Sequence, residues 1–303
     1  MKITSWIENI RLKNKRVALS RSKAGTVMIG LFMLLVSAFM ILPILYSVLQ
    51  AFKPIDEIFA FPPRFFVRNP TTENYRMALQ LSNSLFVPFG RYLINSILVS
   101  VGGTIAYVFI SSLAAYPLAK GNFPGKSLVS QFIVLALLFS AETMVLPRYL
   151  VITKLGIMDT FLAVLFPVFA TTTGVFLIRQ YISAAIPDST LEAAHIDGAG
   201  EYRIFISIVM PTIRASWLTV AIFTFQGFWN YGSGVSYFGY YNYIFSEELK
   251  QLPSILLSIS QTGGMARSGA GAAAFTLMMI PPLILFIISQ SSITDTMAHS
   301  GLK

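Results

Sequence analysis

Apolar residues gather into six runs along the chain, at about 26–49, 92–118, 128–146, 160–178, 204–228 and 271–289. Each is close to the roughly 20 residues that a helix needs to cross the hydrocarbon of a bilayer. The pattern predicts an all-α fold: a polytopic membrane protein with six transmembrane helices. Seven of the 22 Lys and Arg residues precede or begin the first run, within the first 23 positions. Cationic flanks stay on the cytosolic side, so the N-terminus is expected there. Six crossings return the C-terminus to the same side. The predicted divisions are a basic cytosolic N-terminus at 1–25, a six-span membrane domain at 26–290 with its core at 92–290, and a cytosolic tail at 291–303. The first 25 residues are too charged, and the run behind them too long, for a cleaved signal peptide.

By the same alternation, residues 51–90 and 230–269 lie outside. The first segment is Pro-rich, with interfacial aromatics at Phe61, Phe66 and Tyr75. The second is Tyr-rich and carries Leu252, Ile255, Leu256 and Ile259 at helical spacing, with Pro253 placed for a first turn. Gly102 and Gly103, and the run from Gly269 to Ala274, offer small surfaces for close helix contact.

One polar stretch stands out between spans four and five, from Ser189 to Pro211. Ser189 followed by Glu192 reads as a capping box, which predicts a helix start. Ala193 and Ala194 favour helix and present a small face to which another protein surface could come close. Gly198 is placed to end the helix in a left-handed turn, with Asp197 facing solvent before it. A second helix is expected from Glu201 into span five.

Composition narrows the function. The chain is 55% hydrophobic and only 12% charged, which fits a membrane domain. The net charge of +9 comes from the N-terminus and from residues scattered at span ends, so it suits an anionic leaflet and not nucleic acid. There is no cysteine, and His195 and His299 are far apart, so no metal ligand set is expected. Residues 121–127 resemble a phosphate loop but have three residues between the glycines where four are needed. No catalytic motif is present, and the chain is expected not to be an enzyme and to bind no cofactor itself.

Polar and aromatic residues in the spans are the candidates for a solute path. Glu142 lies in an apolar run, where an ionisable group faces a cavity or a partner, or sits at the membrane end near Arg148. Gln226, Trp229, Asn230 and Tyr231 end span five. They combine aromatic faces and amides that could meet a polar solute, and an aromatic belt is the other reading.

The stretch also resembles a family motif. Permease subunits of ABC importers carry Glu-Ala-Ala, three residues, Gly, nine residues, Ile, one residue, Leu-Pro. Here this is Glu192-Ala193-Ala194, Gly198, Ile208 and Met210-Pro211, with Met in place of Leu. Four further segments are similar to the carbohydrate-uptake, maltose-permease-like branch. They are Tyr116 to Gly121; Pro147 to Leu150 with Leu155 to Thr160; Phe176 to Gln180 with Ile186-Pro187; and Phe228 to Asn230. The resemblance implies that Glu192, Ala193, Ala194, Asp197 and Gly198 form a cytosolic coupling helix seated on an ATPase. Beside the capping role that its spacing from Ser189 gives it, Glu192 would then offer a charge to a basic residue of the ATPase, and the two roles are compatible. The implied partners are a second, different permease, two ATPase subunits that bind ATP and Mg, and an external solute-binding protein. The implied cargo is a carbohydrate, as an oligosaccharide. Another polar solute such as a peptide or phosphate is the alternative within this class, and an ion-coupled secondary transporter lies outside it.

Overall fold

The computed structural model describes residues 23–83, 87–140, 143–231, 243–262 and 268–300, and every regular element among them is a helix. The first, α1 (Lys23–Ala51), is apolar and exposed along nearly all its length. A single helical turn at Ile55–Ile58 follows, then α2 (Glu73–Asn83), an amphipathic helix inside the Pro-rich segment. The second long helix is α3 (Phe89–Lys120), which contains a π-helical turn at Leu98–Gly102.

The third predicted span is not one helix. α4 (Lys126–Ala136) has 11 residues, about 16 Å at 1.5 Å per residue, which is too short for a hydrocarbon core of about 30 Å. A turn follows, in which Thr143 Oγ1 donates to Ser140 O at 2.9 Å, and α5 (Val145–Lys154) begins beyond it. Ser and Thr side chains that bond nearby backbone compete with the helical ladder. Glu142 lies outside the described residues.

α6 (Phe161–Phe169) and α7 (Thr173–Ala185) together make a third stretch of crossing length. Tyr107 of α3 fills the step between them: its hydroxyl donates to Thr171 O at 3.1 Å and accepts from Gly174 N–H at 3.0 Å. After α8 (Asp188–Ile196) the predicted fifth span is bent. α9 (Glu201–Thr212) meets α10 (Arg214–Trp229) at 78°. Pro211 has no N–H to donate and crowds the preceding turn, which opens into a π ladder at Phe205–Val209. Thr212 Oγ1 bonds back to Ile208 O at 2.6 Å. The Trp217 indole reaches across the bend to Met210 O at 3.1 Å and satisfies a carbonyl that the bend takes from the ladder. α11 (Leu252–Thr262) and α12 (Ser268–Ser300) complete the chain, α11 with the expected Pro253 in its first turn. Among the described residues four helices are thus long and apolar enough to cross a membrane, or five if the bent pair counts as one.

Two clusters hold the elements together. The larger joins α3 with α6 to α10 through side chains such as Val99, Val164, Ile178, Ile204 and Phe228. Of the two neighbouring glycines in α3, Gly103 makes the close contact: a Cβ there would lie 2.7 Å from Leu165 and Phe228, whereas nothing approaches Gly102. The smaller cluster joins the end of α1 to α2, α11 and α12, with Ala270, Ala273 and Ala274 buried as the small-residue run predicts. Asn74 locks it, donating to Ala51 O at 2.9 Å and Lys53 O at 2.7 Å while its amide fills the space above Gly269.

Candidate functional site

α8 stands at the end of the bundle where α3 finishes and α9 begins. Its start corrects the sequence reading. Ile186 precedes a proline and is extended (φ −112°, ψ 109°), which ends α7. Pro187 is then the N-cap, Asp188 is the first helical residue, and no side chain caps the helix. Ser189 therefore does not form a capping box, and Glu192 has no capping role. Asp188 instead pairs with Lys120 at the end of α3, at 2.6 Å.

The C-terminus of α8 is as predicted. Gly198 has φ +77°. Its N–H donates to His195 O at 3.0 Å, and Ala199 N–H donates to Ala194 O at 3.0 Å. This pair of bonds is a Schellman motif, which satisfies the last carbonyls and turns the chain sharply into α9.

The two alanines separate. Leu191 and Ala194, three residues apart, face the core and are buried. Ala194 is therefore not part of an open small face. Glu192, Ala193 and Asp197 are exposed, and Ile196 is 86% exposed. The outward face of α8 thus carries an unburied Ile beside a carboxylate, on a helix anchored from behind.

A cleft of about 580 Å³ lies between α8 and the ends of α3 and α9. Its floor is apolar, with Leu113, Pro117 and Phe205. Its rim holds a chain of polar contacts that the sequence reading missed. Tyr116 OH donates to Glu201 Oε2 at 2.9 Å, Glu201 Oε1 faces His195 Nε2 at 2.9 Å, and His195 Nδ1 faces Leu191 O at 2.7 Å. The Glu201 hydrogen bond, then that to Leu191 O, raise the His195 pKa above its ordinary value. The available signal was the placement of His195 and Glu201 on either side of the Gly198 turn. On the neighbouring loop, the Lys126 ammonium donates to Ala119 O and Gly121 O at 3.2 and 2.8 Å, so it closes the end of α3 and serves no phosphate.

The second cleft, of about 510 Å³, lies between α10 and α12. Gln226 and Asn230 line it, opposite Phe275, Met278, Pro282 and Phe286. The other two candidates from the end of span five point elsewhere. Trp229 is 1% exposed, is stacked on Phe225 at 5.9 Å, and donates from Nε1 to Met278 O at 2.9 Å. Tyr231 is buried, and its hydroxyl accepts from Tyr243 N–H at 2.9 Å. Both belong to packing and not to a solute surface. Among the described residues no group of three or more His, Cys, Asp or Glu is placed to hold a metal ion.

The family described as the binding-protein-dependent transport system inner membrane component matches residues 127–299. The sn-glycerol-3-phosphate transport system permease protein UgpE of Pectobacterium atrosepticum is 30% identical over 67% of this chain and 70% of its own length. The inner membrane ABC transporter permease protein YcjP of Escherichia coli is 28% identical over 86% of this chain and 90% of its own. The diacetylchitobiose uptake system permease protein NgcG of Streptomyces coelicolor is 29% identical over 72% and 70%. A chain in the crystal structure of a bacterial ABC transporter involved in import of the acidic polysaccharide alginate shares the fold, with a TM-score of 0.71 and 18% identity over 89% of this chain and 98% of that one. With the matched region running from α4 to α12, and including the α8 turn and the cleft between α10 and α12, this chain belongs to the family of binding-protein-dependent transport system inner membrane components, the permease subunits of ABC importers.

Proposed function

We propose that this permease imports a carbohydrate, as an oligosaccharide, through a path shared with a second and different permease subunit. Two ATPase subunits bind and hydrolyse ATP with Mg, and an external solute-binding protein delivers the cargo. The chain lies in the plasma membrane with both termini cytosolic. Residues 126–154 form a broken third crossing, which brings the total to six. In this orientation α8 and its cleft face the cytosol, and the exposed Glu192, Ala193, Ile196 and Asp197 seat against an ATPase. ATP-driven closure of the ATPases moves α8, and α7, α9 and α10 rock with it against the partner permease. The relatives named for diacetylchitobiose and sn-glycerol-3-phosphate uptake support a polyhydroxylated cargo.

The observation that carries the substrate reading is the cleft beside α10. Trp229 donates to Met278 O, and Met278 lies near the middle of the apolar stretch Ser268–Gln290. Two carboxamides therefore sit deep in the apolar part of the bundle, where an amide facing lipid is costly. Beside them are Phe275, Phe286 and Met278. Amides serve hydroxyls and apolar walls serve the C–H faces of a sugar ring. Replacing both Gln226 and Asn230 by leucine is expected to lower uptake at least about tenfold, the loss of one to two good hydrogen bonds in the path. The complex should still assemble, because Gln226 is exposed and Asn230 is only partly buried. Uptake of labelled chitobiose and of the cell's other oligosaccharides, normalised to assembled complex, is the measurement. Unchanged uptake by the double variant would remove this cleft from the path.

A further inference from the structure

We infer that His195, Glu201 and Tyr116 form a protonation-dependent clasp that fixes the angle of α8 to the ends of α3 and α9. The inference rests on reading α8 as the coupling helix, and it names the residues that make the lever stiff. The geometry is that of an imidazolium. His195 Nδ1 is 2.7 Å from the Leu191 carbonyl and Nε2 is 2.9 Å from Glu201 Oε1. A carbonyl and a carboxylate only accept, so each ring nitrogen must donate. A neutral ring carries one N–H and would aim a lone pair at one of the two oxygens. The second Glu201 oxygen accepts from Tyr116 at 2.9 Å, which continues the connection to α3.

The surroundings favour the proton. From α8 itself come the carboxylates of Asp188 and Glu192; from α9 come Glu201 and the Tyr202 phenol; from α3 come Tyr116 and the Lys120 ammonium. Lys120 is held by Asp188, which leaves the other carboxylates to the imidazolium. The His195 pKa is raised above 6.5, chiefly by the Glu201 hydrogen bond. A raised imidazole pKa means that the clasp contributes fully below the unfolded value and is lost as pH rises through the folded one. The His195 and Glu201 side chains are about half exposed or more, so salt weakens the pair. When the clasp opens, the Lys120–Asp188 pair and the buried Leu191 and Ala194 still hold α8 against the bundle. The loosening then falls on the turn into α9 at Gly198, where no atom lies within 4 Å of a Cβ position.

The test uses the assembled complex with its ATPases. The chain has two histidines, so a His299→Gln background leaves one imidazole signal to follow in a histidine-labelled chain. That signal is expected to titrate above 6.5 and to fall back toward the ordinary value in Glu201→Gln. Hydrogen exchange of the amides at 197–204, corrected for intrinsic rate, gives the mechanical readout. Protection should drop about threefold from about pH 6 to about pH 9 in the wild type, the range over which a raised imidazole loses its proton and a size that suits a half-exposed pair. It should stay high throughout in His195→Arg, which cannot lose its charge, and low throughout in His195→Gln. Co-purification of the ATPase is expected in every variant. Equal protection profiles for wild type, His195→Gln and His195→Arg would overturn the clasp while the ATPase still binds. Loss of ATPase association in the wild-type chain itself would overturn the coupling reading, and the clasp with it.

Discussion

Gly198→Val is expected to lower transport more than about tenfold while leaving the bundle folded. The residue sits at φ +77°, and the two bonds that close the turn depend on that value. A left-handed conformation costs an L-residue about 1–2 kcal/mol, and a β-branched side chain is a true outlier there. A penalty of that size shifts the population of the correct turn by about 5–30-fold. The space is open, since a Cβ would meet no atom within 4 Å, so the strain lies in the backbone alone. A graded series follows from this. Asparagine, which tolerates positive φ, should keep most uptake; alanine should be intermediate; valine should lose more than about tenfold. The measurement is solute uptake per assembled complex across the three variants. A flat series would mean that the α8 turn transmits nothing.

Trp229→Ala is expected to give the largest loss of stability. Removing a buried aromatic of this size costs about 3–5 kcal/mol. The indole also has a specific partner. Pro282 follows Met278 by four residues and has no N–H, so the Met278 carbonyl lacks its helical donor. The Trp229 indole supplies one at 2.9 Å. In a medium without water an unmet carbonyl is expensive. Trp229→Phe should therefore cost about 1–3 kcal/mol, mostly the unmet carbonyl, and keep normal uptake per folded complex. Thermal unfolding of the purified complex in detergent, with uptake normalised to folded protein, checks both. A stable Trp229→Ala chain that fails only in uptake would put the indole back in the solute path.

These results also mark what could be read in the chain. The Glu192-Ala193-Ala194 and Gly198 spacing carried the family, and the need for positive φ at Gly198 was legible because few residues other than glycine take it. The capping box failed for a local reason: Pro187 already sets the helix entry two residues earlier than Ser189 would. Ala194 was misplaced because composition was read without period, since Leu191 and Ala194 share one face and Glu192 and Ile196 another. The same oversight merged the span-five candidates. Gln226 and Asn230 are four apart and line the cleft, whereas Phe225 and Trp229, also four apart, stack in the packing behind it. Hydrophobicity could not show that residues 128–146 break near Ser140, nor that Pro211 gives a bend of 78° instead of a mild kink. Both depend on where the neighbouring helices take up the freed backbone groups.

The central claim is that the outward face of α8 is where the ATPase pushes. Because the chain contains no cysteine, Ile196→Cys and Phe61→Cys each give a unique attachment point for a photoreactive probe. Both positions are highly exposed, at 86% and 94%. Irradiation of the assembled complex is predicted to join the probe at position 196 to an ATPase subunit and the probe at position 61 to none. An ATPase adduct at position 61, or none at position 196, would contradict the account.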